Sequence, residues 1–343
     1  MKKIDRFIED NVWELTLKYV RMMRITKEKF FEYLRDKRSL KEYTKGIKDL
    51  WDIDHSFMDK NIKELEKMVT EMDIKSYEKF EKVLTQSQSV KLTNGKLYYK
   101  VQNKEIYPLN PESDFRKIEQ QYVNKHIKYY SRQKEILSKV PDEDAYLSKL
   151  VTNYDKIDKT IPYYNKNGTI KCYNTVATYN SMLYNWNLTH SAWNRTQYDA
   201  QVLGNNLYYL PAHSSACPHC AEYQGYVYAE NTPSSADMKV LRKYGKRGEY
   251  MKEDAIAGGV GHPNCQHVWT LYWDDEQIQD EKYDSPEDIE AYQTQQKIQS
   301  LDLEKSRLLS DRRIYKSLGD EAMVDKTTSQ IKKIRETKKE LQK

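Results

Sequence analysis

His213-Ser-Ser-Ala-Cys217-Pro-His219-Cys220, then Gly225-Tyr-Val-Tyr228, and after a polar insertion Gly261-His262-Pro-Asn-Cys265-Gln-His267-Val-Trp269, hold three of the chain's four cysteines and four of its seven histidines within 57 residues. Cys217 and Cys220 have the two-residue spacing with which a tight turn offers two thiolates to one zinc. Cys265 with His267, or His262, supplies the rest of a tetrahedral site, and the expected ligands are Cys217, Cys220, Cys265 and His267 around a structural zinc. Between Cys220 and Cys265 lie 44 residues, so the site exists only if the fold brings the two halves together. A metal-free reading of the same residues, as buried cysteines and histidines fixing turns, stays open beside it.

Chemical alternatives can be weighed against the same stretch. A redox Cys-x-x-Cys needs a βαβ context, whereas short strands and loops are expected on either side here. A zinc deaminase needs His-x-Glu upstream of Pro-Cys-x-x-Cys, and this chain has Ala-Cys-Pro-His-Cys with no such partner. A hydrolytic metal site wants an open coordination position and a general base; Glu222 and Asp254 are available, but no spacing ties them to the cysteines. His213 and His219 read as turn caps or backbone hydrogen-bonders. Gly258-Gly259-Val-Gly261 lacks the Gly-Lys-Ser/Thr of a phosphate loop and reads as a flexible turn into His262.

Outside this stretch the chain is charged and helical in pattern. Of its 343 residues 38% are apolar and 32% charged, and Tyr (29) far outnumbers Phe (6). Low hydropathy with this many aromatics argues for several modest cores and much exposed helix, not for disorder. Tyrosines suit half-wet surfaces, having an apolar body and a polar tip. The net charge of +5 is unevenly spread: residues 1–50 carry 14 Lys/Arg against 9 Asp/Glu, residues 274–290 carry nine acids against Lys282, and residues 302–343 carry 12 against 8. Basic arms thus flank an acidic joint. The lack of an 18-residue apolar run predicts no transmembrane helix. Met-Lys-Lys-Ile-Asp-Arg lacks a signal-peptide apolar region, and few cysteines clustered with histidines suit a reducing compartment.

Apolar spacings of three, four and seven predict helices over 3–35 and 57–86. Asn94-Gly95 predicts a hairpin over 91–101. Ser113 is expected to cap a helix of 114–139, followed by a helix over 142–158 and a hairpin over 161–170 around Asn167-Gly168. A long helix of 173–203 ends at Gly204-Asn-Asn206, and Leu207-Tyr-Tyr-Leu210 enters the central stretch as a strand. From Pro286 onward the pattern is helical, broken near Leu318-Gly-Asp320. Leu301, Leu308 and Tyr315 form one stripe and Val324, Ile331, Ile334 and Leu341 another, predicting a hairpin or coiled-coil arm. The expected fold is mainly α with a small α+β domain: long helices flank a Cys/His knuckle domain with short strands and end in a C-terminal helical arm. Its regions are 1–170, helical with short hairpins; 171–273, the knuckle domain; and 274–343, the acidic joint and arm.

Cys217-Pro-x-Cys220-x4-Gly225 with Gly-His262-Pro263-Asn-Cys265-x-His267 resembles the signature of tailed-phage minor head proteins, the head-morphogenesis and minor capsid family with members similar to protein F of phage Mu. With the preceding helix and strand the likeness extends over 173–273. It implies a protein bound to the portal inside the head, aiding assembly and the packaging or ejection of DNA, with the portal protein, the major capsid or scaffolding protein and double-stranded DNA without sequence preference as partners, and no membrane. The implied location is the virion interior near the portal, and the host cytoplasm before assembly. The motif positions carried over are Cys217, Cys220, Gly225, His262, Pro263, Cys265 and His267. Gln266 departs from the Arg common among relatives, and Cys265-Gln-His267 stands where some members have Cys-Arg-Cys. Relatives fused to toxins end in a globular enzyme, whereas this chain ends in helices, so no toxin activity or other catalysis is expected. DNA contact is expected from Lys125-His-Ile-Lys128-Tyr-Tyr-Ser-Arg132 or the C-terminal arm; the bland reading of either is a solvated helix face. The competing readings are a zinc-stapled nucleic-acid-binding module outside a capsid, which lacks a reading helix at finger spacing, and a metal-dependent hydrolase.

Overall fold

The computed structural model describes residues 2–88, 111–159, 161–164, 170–214, 216–262, 264–278, 283 and 285–342. Helices dominate. The first, α1 (Lys2–Arg35), carries the expected apolar spacing. An unexpected α2 (Leu40–Leu50) follows. Its signal was Ser39-x-x-Glu42: the Ser39 hydroxyl accepts from Glu42 N while the Glu42 carboxylate accepts from Ser39 N, a reciprocal cap that makes so short a helix start. Next come α3 (Ser56–Gln88), α4 (Pro111–Leu137) and α5 (Glu143–Asp158). Ser113 lies inside α4 rather than ahead of it, since a proline in the first turn forfeits only an N–H that no helix uses. Asp142 caps α5. The hairpin expected over 91–101 lies outside the described residues.

β1 (Ile161–Tyr164) and β2 (Ile170–Asn174) pair antiparallel, with Ile161 opposite Asn174. Pairing holds residues up to 174 extended, so α6 (Val176–Leu203) starts three residues later than its apolar spacing suggests. The central stretch then gives β3 (Leu207–Leu210), the one-turn α7 (Pro218–Ala221), β4 (Tyr226–Ala229), α8 (Ser235–Tyr244), α9 (Lys252–Ala257) and β5 (Thr270–Leu271). A 3-10 turn over Asp275–Gln277 precedes α10 (Pro286–Ser317) and α11 (Glu321–Leu341). The fold is thus mainly α with a small antiparallel sheet, ordered β4-β3-β5, beside the Cys/His residues. No helix among the described residues is long and apolar enough to cross a membrane.

The chain divides into two compact units, each drawn from three separate segments: Met1–Val12, His55–Pro111 and Met182–Tyr292 in one, Trp13–Asp54, Glu112–Ser181 and Gln293–Lys343 in the other. In the first unit both faces of the sheet are buried. Tyr208 and Leu210 point to a core with Trp193, Ala200, Tyr228 and Trp269. Leu207 and Tyr209, alternating with them, point to a core with Val227, Leu241 and Tyr272.

In the second unit the tyrosines expected at half-wet surfaces build the interior. Phe30 meets Tyr154 at 4.9 Å between ring centroids, and Tyr43 stacks on Tyr130 at 4.0 Å. Most of their hydroxyls are spoken for: Tyr130 donates to the Arg38 carbonyl at 2.9 Å, Tyr154 pairs with His126 Nδ1 at 2.9 Å and Tyr122 donates to Asp158 at 2.9 Å, while that of Tyr43 is buried without a hydrogen-bond partner. A buried tyrosine so wired keeps its apolar area at little polar cost. The arm helices return on one another through Leu301, Leu308, Ile331 and Ile334, as their stripes require. What the stripes do not show is that α10 also sends Asp311 to buried Lys27 on α1, 2.6 Å away, with Asp155 of α5 at 2.7 Å on the same ammonium.

Candidate metal centre

Pro218 opens α7 immediately after Cys217, and one helical turn carries Cys220 back above it, with Cys220 N donating to the Cys217 carbonyl at 3.0 Å. The second half is built by the turn ahead of His262. Gly261 has φ +87°, and a Cβ there would sit 2.4 Å from the Trp193 ring, so only glycine lets this turn close. Cys265 N then donates to the His262 carbonyl at 2.7 Å.

The two turns meet. Cys220 Sγ lies 3.7 Å from Cys265 Sγ, Cys217 Sγ 3.1 Å from His262 Nε2, and Cys265 Sγ 3.6 Å from His267 Nδ1. Two triads result, Cys217–Cys220–His262 and Cys220–Cys265–His267, sharing Cys220, the ligand atoms of each lying within 4.8 Å of one another. Cys220, Cys265 and His267 are buried, Cys217 and His262 partly so.

One face of α6 holds the second turn in place. Asn185 and Thr189 both donate to the Cys265 carbonyl (2.9 and 3.0 Å), Trp193 Nε1 to the His267 carbonyl (2.8 Å) and Thr196 to the Trp269 carbonyl (2.9 Å). The periods match: four helical residues rise about 6 Å, close to the roughly 6.6 Å between alternate carbonyls of an extended chain. Trp193, a core residue, therefore also sets where His267 stands.

Hydrogen bonds distinguish the two histidines. His267 Nε2 lies 2.9 Å from Gln224 Oε1. A carbonyl oxygen can only accept, so Nε2 carries the proton and the Nδ1 lone pair faces Cys265, as a metal ligand requires. Gln224 is itself fixed, its Oε1 accepting from His213 N (3.0 Å) and its Nε2 donating to the Tyr283 carbonyl (3.3 Å). In His262 the opposite holds: Nδ1 accepts from Asn264 N at 3.2 Å, which puts the neutral ring's proton on Nε2, toward Cys217. Distances agree. Zinc–sulfur and zinc–nitrogen bonds of about 2.3 and 2.0 Å give tetrahedral edges of about 3.8 Å between sulfurs and about 3.5 Å between sulfur and nitrogen. Cys220–Cys265 and Cys265–His267 have those lengths; Cys217–His262 has that of a hydrogen bond.

The thiols share protons in the same pattern. Cys220 holds a single S–H between two sulfurs; Cys217 is held down at about 3 by its hydrogen bond from Cys220 and, against burial, by that from His262. Cys265 is likewise lowered, chiefly by its hydrogen bond from Cys220 and against burial, and Cys220 itself is pushed up. Burial, then His267, pushes His213 well down, and its neutral ring packs 3.9 Å from that of His267.

The four expected ligands are divided between two triads that share Cys220: Cys217 stands with His262, and Cys265 with His267. His219 is exposed, as is Glu222 at the end of α7, and Asp254 accepts from Met251 N as the cap of α9. Neither acid stands in the two triads. Sequence reasoning missed Gln224, Asn185 and Thr189; the four-residue step from Asn185 to Thr189 to Trp193 was the available signal.

Residues 173–343 match the family model described as phage minor capsid protein 2. The match includes both cysteine turns and the sheet, and it runs on through α10 and α11, past residue 273, where the motif resemblance stopped. No curated protein and no solved structure matches the chain.

Proposed function

Since the chain belongs, through residues 173–343, to the phage minor capsid protein 2 family, we propose that it is a structural head protein that seats on the portal and serves assembly and the passage of DNA. The family places it among the capsid proteins of a phage, beside other structural proteins of the virion. The portal as its neighbour, the interior as its side of the shell, and roles in packaging or ejection are the finer part of the proposal.

The observation that carries it is the closed clasp, Cys220 against Cys265 at 3.7 Å. Small sheets have little core of their own, and a tetrahedral zinc held by Cys217, Cys220, Cys265 and His267 would staple two distant turns into one platform. The zinc would supply cross-linking, with all four positions filled by protein and none left for substrate. His262 would hold Cys217 from outside that set. Non-specific DNA contact would come from α4, where Lys125, Lys128 and Arg132 are exposed while His126 and Tyr130 turn inward.

Co-expression with the portal protein of the same phage tests the main claim. The expected outcome is co-elution with the assembled portal ring, and detection of the chain in purified virions. A chain that elutes apart from intact rings and is missing from virions would sink the reading and favour a nucleic-acid module working outside the capsid.

A further inference from the structure

The second unit contains a cleft of about 440 Å³ between α1, α5, the first turn of α6 and α10, within the volume range of small-molecule sites. Val20, Met23 and Leu303 give it an apolar wall. Two of its polar groups are buried without a hydrogen-bond partner. Arg24 Nε has only Glu28, 4.0 Å away along the same helix and beyond hydrogen-bond reach. The Ser310 hydroxyl, on a residue 1% exposed, does not even take the carbonyl one turn back that a helical serine ordinarily finds.

Of the three carboxylates lining the cleft, Glu304 interacts electrostatically with Arg307, and the other two are already committed. Asp155 receives Lys27 at 2.7 Å and Arg307 at 2.5 Å, and Asp158 receives the Tyr122 hydroxyl. Donors are therefore in surplus beside an apolar wall. Buried donors left unmade cost stability, and an incoming anionic acceptor would offset that cost.

We propose that this cleft is a binding site for a small amphipathic anion, a carboxylate or similar oxyanion on an apolar body. The head lies between Arg24 and Ser310, and the body lies along Val20, Met23 and Leu303. Nothing in this assignment depends on the clasp or on portal binding.

Titration of the full chain with 4-phenylbutyrate and with 4-phenylbutan-1-ol, followed by calorimetry, separates charge from apolar area. The acid is expected to bind saturably at one site and at least about tenfold tighter than the alcohol, the scale of one charge-assisted hydrogen bond. Arg24→Gln should bring the acid down to the level of the alcohol. Thr178→Trp, at an exposed position on the rim, should block both probes without touching the core. Ser310→Ala, which removes the orphaned hydroxyl, should raise Tm of the free protein while weakening the acid, and it carries the test should Arg24→Gln fail to fold. Equal affinity for acid and alcohol, no saturable uptake of the acid, or full binding in Thr178→Trp overturns the assignment.

Discussion

At the scale of single residues, His267 and His262 look alike in sequence, two imidazoles flanking one cysteine. Only their hydrogen bonds separate them. Gln224 holds the proton of His267 on the far nitrogen, while Asn264 N draws that of His262 onto the near one. His267→Ala is therefore expected to abolish zinc stoichiometry, measured by elemental analysis of the dialysed protein. His262→Ala should keep one zinc per chain and bind it less tightly. Gln224→Ala should fall between them, since losing a ligand's outer hydrogen bond typically costs about 10–100-fold in metal affinity. Equal zinc loss in the His262 and His267 variants would refute this division of roles. Cys220 belongs to both triads, so its loss should be the most damaging of the three cysteines.

Between elements, the contact of α3 with α6 sets a pH dependence. Asp73 on α3 and Asp199 on α6 hydrogen-bond each other, with Arg195 reaching Asp199 at 3.0 and 3.3 Å. Burial raises both carboxyls; Asp199 is pushed up to about 6 despite Arg195, and Asp73 is raised by burial and then by Asp199. A folded-state pKa above the unfolded one means the folded chain holds its proton longer, so the stability contribution is complete below about pH 4, the unfolded carboxyl range. It declines as pH rises through about 6. Asp73→Asn keeps a hydrogen-bonding side chain and removes the charge. It should raise Tm at pH 8 and flatten the fall of Tm between pH 4 and 7, with an effect on the order of 2 kcal/mol. A Tm–pH curve parallel to that of the unmodified protein would show that the pair does not share its proton.

At the scale of the molecule, each unit gathers segments from distant parts of the chain, and charge on its exterior is left for partners. Lys125, Lys128 and Arg132 stand outward at helical spacing on α4. If they meet phosphates, the affinity for double-stranded DNA should fall steeply with salt. Replacing all three by Gln should lower the slope of log K against log salt by roughly 3, at about 0.9 per phosphate contact. An unchanged slope would make the stripe a solvated helix face and move any DNA contact elsewhere.

The sequence alone determined that the chain is helical, where most helices lie, and that two cysteine turns with their histidines fall in one short stretch. Those features are local: apolar spacing, glycine and proline punctuation, and Cys-x-x-Cys act within a few residues. It also determined α2, through Ser39 and Glu42, although apolar periodicity over so short a helix conceals it. Tertiary structure decided whether Cys220 would meet Cys265, which histidine turns a lone pair toward the sulfurs, and that tyrosines would go inward. The closing of the clasp depends on the face of α6 from Asn185 to Thr196, which receives the carbonyls of Cys265, His267 and Trp269. No spacing records that contact, because residues some 75 positions apart meet through the summed packing of the sheet and helix between them.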